Sequence, residues 1–354
     1  MNTIDLLGRP EIQLNQEQCL SFIKGKTILV TGAAGSIGSE IVRQLSALSP
    51  KEIVLFGHNE SGMFFLEKEL SPLYPDVKYN IQLGSICDIK RLEQVCSASE
   101  PQIVYHAAAN KHVPLSETNV LEAFKTNVIG TENVLRASSR YVENFVFIST
   151  DKAVNPSSVM GATKRIAEIL ISRQSLDEDY FAQWAERTDK YSIVRFGNVL
   201  GSSGSVVPIF EKQIKAGGPV TVTDPAMERF FMTIPEASRL VIQASAFNDN
   251  EKLYILKMGK QVKIVDIAKR MIQLMGYSLD NIEINYSGIR PGEKLSEELS
   301  LPTENLVETK HPDIMQTHFK PYSLHREMYK LYCAEMKNDF QAKEAIFDFI
   351  KSIE

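Results

Sequence analysis

Thr27-Ile-Leu-Val-Thr31-Gly32-Ala-Ala-Gly35-Ser36-Ile37-Gly38 decides the fold of this chain. Thr27 to Thr31 is a short apolar run that reads as a buried parallel strand, and the spacing from Ser36 to Leu48 reads as the helix after it. Between them Gly32 permits a tight turn, Gly35 lets backbone amides approach a pyrophosphate, and Gly38 lets the helix pack on the sheet. The amides of Ser36 and Ile37 open that helix, whose N-terminus favours negative charge. Three glycines can also make a purely structural turn. Their place between the first strand and its helix makes nucleotide binding the expectation.

The pattern repeats outward from this unit. Strands are expected at Glu52–Phe56, Tyr79–Leu83, Ile103–His106, Phe145–Ser149 and Ser192–Arg195, with helical patterns between most of them. Strand-helix alternation implies an α/β fold, a Rossmann-like doubly wound parallel sheet. From about Gly201 the pattern loosens into short elements separated by Gly217-Gly218-Pro219 and Arg290-Pro291-Gly292, which suggests a smaller C-terminal substrate-binding lobe. The expected organisation is an N-terminal extension over 1–24 and a nucleotide-binding domain with the catalytic residues over 25–200. A mainly substrate-binding lobe over 201–320, interleaved with the first, and a C-terminal helical segment over 321–354 complete it. In that last segment Gln341 to Ile353 reads as an amphipathic helix that turns Ala345, Ile346, Phe349 and Ile350 to the core.

Composition excludes several classes. With 44% hydrophobic and 23% charged residues the chain is an ordinary globular protein, and 354 residues suffice for a large core. A net charge of -5 gives no field for nucleic acid, so an anionic ligand must be held by local groups. Cys19, Cys87, Cys96 and Cys333 lack paired or metal-like spacing, which fits a reducing compartment. No run of about 18 apolar residues and no basic-then-apolar leader is present, so neither a membrane span nor export is expected and the cytoplasm is the expected location. No cluster of His, Cys and Asp suggests a metal.

Cofactor choice turns on the end of the second strand, Phe56-Gly57-His58-Asn59-Glu60. A carboxylate there grips the ribose hydroxyls of NAD, whereas an arginine accepts the extra phosphate of NADP. Neither stands at the strand tip. Glu60, a little further on, either reaches the ribose or is an exposed acid at a helix start, so NAD is expected and NADP stays open. Ser85 and Ile86 are placed to flank adenine, and Ala107, Ala108 and Ala109 offer small side chains where backbone passes close to the cofactor.

Five stretches carry a family resemblance: Thr31-Gly-Ala-Ala-Gly-Ser-Ile-Gly-Ser-Glu40, Ala108-Ala-Asn-Lys111-His112-Val-Pro114, Ser149-Thr-Asp-Lys-Ala-Val-Asn-Pro156 with Met160-Gly-Ala-Thr-Lys164, Arg195-Phe-Gly-Asn198-Val-Leu-Gly-Ser202, and Gly288-Ile-Arg-Pro-Gly-Glu-Lys294. From about Asp5 to Leu299 the chain resembles the extended short-chain dehydrogenases of polysaccharide biosynthesis, and more narrowly the UDP-N-acetylglucosamine 4,6-dehydratases. Asp5-Leu-Leu-Gly-Arg-Pro10 is similar to the segment that, in long members, follows a transmembrane region and an extra domain, so a soluble short form is expected. Gly57 departs from the acid common in relatives that use NAD.

The resemblance implies a chemistry. Hydride leaves sugar C4 for oxidised nicotinamide, the C5 hydrogen becomes acidic beside the new ketone, the C6 hydroxyl is eliminated, and the hydride returns to C6. In related dehydrogenases a Tyr-x-x-x-Lys pair one helical turn apart moves the proton; here Met160 stands in the tyrosine's place. The resemblance gives Thr150 the 4-hydroxyl, makes Asp151 the acid for departing water if desolvation keeps it protonated, and makes Lys152 the C5 base once neutral. Asp151 is also the first candidate for the 4-hydroxyl proton. The alternative for Asp151 and Lys152 is a surface ion pair capping the next helix. Lys164 is implied at the nicotinamide ribose and Met160 in the apolar wall beside it. Asn198, Arg229 and Arg290 fall on substrate positions of the family, with Glu293 for the nucleoside hydroxyls, and arginine suits a diphosphate through its planar fork of donors. Lys111 and His112 are candidates for lining the pocket, with a structural histidine the alternative. UDP-N-acetylglucosamine is the expected substrate and a homo-oligomer, dimer or hexamer, the expected assembly. A UDP-hexosamine 4-epimerase is the close competitor, and a catalytically inactive nucleotide-binding scaffold, suggested by Met160 alone, the distant one.

Overall fold

The computed structural model describes residues 12, 16–172, 191–249, 252–318, 331 and 336–353. The Asp5 to Pro10 segment and Cys333 lie outside them. The first six strands are β1 (Thr27–Thr31), β2 (Glu52–Gly57), β3 (Lys78–Leu83), β4 (Ile103–His106), β5 (Asn144–Ile148) and β6 (Tyr191–Arg195). All are mutually parallel and lie in the order β3-β2-β1-β4-β5-β6. Strand order reverses between β1 and β4, so the tips of those strands open onto a crevice where ligands of doubly wound sheets bind.

The chain does not leave the sheet for good after β6. Strand Lys252–Leu256 pairs parallel with β6, and Ile314–His318 and Val307–Glu308 extend the same edge to nine strands. Between these returns, the helices Val206–Lys215 and Ile264–Leu274 and the strand pair Val220–Val222 with Ile284–Tyr286 surround a separate core of Val207, Phe210, Ile214, Val220, Ile267 and Met271.

Burial explains why the first strands were readable. Every residue of β1 and β4 is buried, as a sheet with helices on both faces requires. One face carries the helices Ser36–Ser46, Glu60–Leu70 and Ile234–Ala246 over Ile28, Val30, Leu55 and Tyr105. The other carries Ile89–Ser99, Gly130–Ser138 and Val159–Ser172 over Leu29, Val54, Phe145 and Phe147. The final helix, Asp339–Ile353, packs on Val159–Ser172, all of whose residues are buried. Its inner stripe is Ala342, Ile346, Phe349 and Ile350, while Ala345, expected inside, is half-buried. The helix begins two residues before the expected Gln341, and this early turn delivers Ala342 to the interface.

Several boundaries differ by a residue or two from the expected ones: β2 ends at Gly57, β3 begins at Lys78, β5 at Asn144 and β6 at Tyr191. β5 ends at Ile148, and Ser149, expected inside it, keeps its amide on Val194 O at 2.8 Å while its hydroxyl donates to the Glu168 carboxylate at 2.6 Å. The helix after β1 stops at Ser46, short of Leu48.

Candidate active site

The turn after β1 is built around its glycines. Gly32 has φ +66°, and a Cβ there would stand 2.8 Å from the Ala108 backbone. A Cβ on Gly38 would strike the Gly32 carbonyl oxygen. Gly35 caps the helix Ser36–Ser46 without a side-chain bond, leaving the Ser36, Ile37 and Gly38 amides at an open helix N-terminus. This cradle, which any side chain would fill, fits a dinucleotide pyrophosphate. Ala107 bonds its amide to Thr31 O at 3.2 Å, so the β4 tip lies beside the end of β1.

A buried polar network locks these tips together. Thr131 donates to the Asn127 carbonyl at 2.7 Å, so its oxygen can only accept from His106 Nε2, 2.9 Å away. His106 Nδ1 is thereby the acceptor, taking the Thr31 hydroxyl at 2.7 Å. Burial, helped by the Lys164 charge, pushes the His106 pKa down to about 3, so the ring is neutral. Asn127 in turn bonds both backbone groups of Asn110 and the Thr163 hydroxyl, at 2.8 to 3.0 Å. It sits in a π turn, Lys125–Ile129, the kind of helix defect that re-aims a side chain.

The catalytic candidates occupy the tip of β5. Thr150 donates to Asp151 Oδ1 at 2.9 Å, and the Lys152 ammonium donates to the same oxygen and to Asn198 Oδ1, both at 3.0 Å. Asp151 is fully buried and Lys152 largely so, which rules out a surface ion pair. Asp151 Oδ2 has no hydrogen-bond partner. The helix Val159–Ser172 presses on this tip through Gly161, where a Cβ would strike the Lys152 carbonyl oxygen. Met160, beside it, is 4% exposed. Lys164 donates to the Ile148 carbonyl at 2.6 Å and stands 4.0 Å over the Phe147 ring. Burial lowers its pKa to about 7 against the opposing pull of Glu168.

Beneath the tip lies a buried ion cluster that the sequence did not announce. Arg195 grips both oxygens of Glu168 at 2.7 Å and both of Glu304 at 2.8 and 2.9 Å. Burial raises the Glu168 pKa, but Arg195, then Arg165 and Ser149, outweigh it and hold the carboxylate below its usual range. Because Ser149 and Glu168 belong to β5's tip and the helix of Lys164, the cluster fixes one against the other.

The expected substrate residues meet different fates. Arg290 is exposed and paired with Glu293 at 2.6 Å. Its loop is tied to the segment that follows Lys152: Ser157 bonds Gly292 O at 3.1 Å and Lys294 bonds Val154 O at 3.0 Å. Arg229 is buried and donates to the carbonyls of Glu228, Leu295 and Lys294 at 2.7 to 3.0 Å, so its guanidinium braces that loop. Lys111 donates to Ser203 O at 2.9 Å, and Ser203 N donates to Ser36 Oγ at 3.1 Å, bringing the 201–204 turn onto the glycine cradle. His112 lies against Gly204; partial burial, then Lys111, lowers its pKa. Glu60 is exposed at the start of its helix, capped by Asn59. Ser85 is exposed, whereas the Ile86 side chain is turned inward onto Gly130. Glu297, absent from the expected set, is 4% exposed, with Oε1 3.8 Å from Lys152 Nζ and 3.9 Å from Arg229 Nε. Glu297 stands three residues beyond Lys294, past the end of the Gly288 to Lys294 motif.

Strand order, glycine cradle and the residues at the β5 tip define a Rossmann-like chain of the extended short-chain dehydrogenase/reductase kind. Residues 28–319 match the family model described as polysaccharide biosynthesis protein, and the chain belongs to that family. It is 51% identical over 312 residues to the probable polysaccharide biosynthesis protein EpsC of Bacillus subtilis, covering 88% of this chain and 51% of EpsC. The chain thus spans about half the length of that relative. Over 77% of each chain it is 31% identical to a UDP-N-acetylglucosamine 4,6-dehydratase (inverting) of Campylobacter jejuni, and 33% identical to a UDP-glucose 4-epimerase of Rickettsia canadensis. Among solved structures, Pen from Bacillus thuringiensis superposes with a TM-score of 0.75 at 35% identity, covering 84% of this chain and 91% of Pen. Among the described residues no helix is long and apolar enough to cross a membrane.

Proposed function

We propose that this chain is a nicotinamide-dependent nucleotide-sugar enzyme of surface polysaccharide synthesis. Its reaction is the 4,6-dehydration of UDP-N-acetylglucosamine to a UDP-4-keto-6-deoxy-N-acetylhexosamine. The observation that carries this reading is the buried Asp151–Lys152 pair, joined to Thr150 on one side and Asn198 on the other. Nicotinamide cofactor, NAD in the first place, would be held by the Ser36, Ile37 and Gly38 amides and Lys164, and supplies acceptance of hydride from C4 and its return at C6.

The residues divide the proton work. Thr150 accepts the sugar 4-hydroxyl and already donates to Asp151, so the 4-hydroxyl proton has a two-bond path to a carboxylate. Asp151, once protonated, is the acid for the departing C6 hydroxyl, and Lys152 is the base for C5. Met160 closes the tyrosine's position with an apolar side chain. Arg290 and Glu293, paired at 2.6 Å, would meet the nucleotide.

Relatives at similar identity carry the names of a dehydratase and an epimerase. Epimerisation needs no acid for a leaving water, and a carboxyl group, Asp151, paired with Lys152 at one strand end supports the dehydration reading. Mass spectrometry of UDP-N-acetylglucosamine incubated with purified protein tests the choice: loss of one water is expected, an isomer of unchanged mass means epimerisation, and an untouched substrate means a binding protein.

A further inference from the structure

The proposed dehydration leaves one proton without a seat. If Asp151 receives the 4-hydroxyl proton through Thr150, it is charged with the proton that the C6 oxygen needs. Lys152 must be neutral to take the C5 proton, so its ammonium has to lose one first. Asp151 is then occupied, and Asn198 Oδ1 accepts a hydrogen bond but not a proton. Glu297 is the remaining base beside the ammonium. Its Oε1 lies 3.8 Å from Lys152 Nζ, a third oxygen beside the ammonium after those of Asp151 and Asn198. Its Oε2 is buried without a hydrogen-bond partner, a costly place for an anion and a ready one for a proton.

Resting on the dehydratase reading, we propose that Glu297 is a positioning residue for Lys152, which takes the proton Lys152 must shed before it attacks C5 and returns it when the cycle closes. Every proton then has a round trip. The 4-hydroxyl proton passes to Asp151 and leaves on the C6 oxygen as water. The C5 proton passes to Lys152 and goes back to C5 once the hydride taken from C4 has entered C6. The lysine's own proton passes to Glu297 and back. The O4–H, C4–H, C5–H and C6–O bonds break; C4=O, C6–H, a new C5–H and the O–H of water form, and no outside acid, base or oxidant is consumed.

The charges around Glu297 suit the task. Burial raises its pKa, Asp151 adds to the rise, and Lys152, Arg229 and Lys294 oppose it, leaving the carboxyl above its ordinary value. Such a group holds a proton more readily than an exposed glutamate.

The test compares wild type, Glu297→Gln and Lys152→Met in deuterated solvent with UDP-N-acetylglucosamine. Glu297→Gln should still oxidise C4, seen as bound reduced nicotinamide, but lose C5 deuterium uptake and water release by about 10²-fold or more, as Lys152→Met does. Glu297→Asp, which restores a carboxylate, should recover part of the loss and move the pH profile. Wild-type C5 exchange in Glu297→Gln overturns the assignment; so does a loss of C4 oxidation equal to the loss of exchange, which marks a structural role. Should the glutamine variant fail to fold, a carboxyl-carbon NMR titration of Glu297 decides. It should titrate above the ordinary carboxylate range in wild type and higher still in Lys152→Met, and an ordinary value overturns the proposal. A wild type that releases no water removes the dehydratase reading and this one with it, whereas water release untouched by Glu297→Gln removes this one alone.

Discussion

Gly161→Ala sets local preference against tertiary packing at the backbone of Lys152. Gly161 is the third residue of the helix Val159–Ser172, where alanine is favoured over glycine by about 1 kcal/mol. On propensity alone the substitution stabilises. The added Cβ, however, would strike the Lys152 carbonyl oxygen and lie 3.0 Å from its carbonyl carbon and 3.2 Å from Ser158 Oγ. Backbone is the obstacle, so the helix or Lys152 itself must move. Overpacking of this kind costs about 1–3 kcal/mol, which cancels or outweighs the gain and leaves a net loss of up to ~2 kcal/mol. Activity should suffer more, because a displacement of about 1 Å at a positioned group costs about 10²-fold. Thermal melts and turnover by mass spectrometry read the two effects. Gly57→Ala is the companion: its Cβ would meet only Met63 Sδ at 3.8 Å and the Gly32 Cα at 4.0 Å, so its melting temperature should match wild type. A Gly161→Ala protein with wild-type turnover, or a raised melting temperature, would refute the packing argument.

Arg195→Met removes the cation between two carboxylates, Glu168 and Glu304, and should cost about 3–5 kcal/mol in denaturant unfolding; a loss below ~1 kcal/mol would show that the cluster relaxes freely. Lys164 gives a pH signature. Its pKa falls from 10.5 to about 7 on folding, so between those values the unfolded chain binds a proton that the folded chain does not, and stability rises with pH. The stability of wild type relative to Lys164→Met should therefore climb from about pH 7 upward, and a difference that stays flat would contradict the buried ammonium. Arg290→Ala should weaken UDP-N-acetylglucosamine binding measured by calorimetry while leaving the melting temperature unchanged, because an exposed ion pair contributes no more than about 1 kcal/mol. A matching loss of stability would mean that the arginine holds the loop rather than the ligand.

Periodicity and glycine spacing sufficed for β1, its turn and the next five strands, since each is a local pattern: apolar runs, fully buried in β1 and β4, and after β1 glycines where no Cβ fits. Asp151, Lys152 and Lys164 were also legible, because they crowd one strand end and the helix after it. Local pattern could not say that the chain returns to the sheet at Lys252–Leu256 and Ile314–His318, since a strand carries no mark of its partner. Nor could it separate two arginines of like appearance. Arg229 became a buried brace on the carbonyls of Leu295 and Lys294, while Arg290 stayed exposed. Glu168, Glu297 and Glu304 look like surface acids in the sequence, yet Glu168 and Glu297 are buried and Glu304 nearly so. Charge becomes tolerable in a core only when the fold delivers its counter-charge, and Arg195 and Lys152 reach these carboxylates from segments far away along the chain. The sequence by itself determined which strand ends carry the candidate site; tertiary structure decided which charges surround it, because electrostatic partnership depends on distance through space and not along the chain.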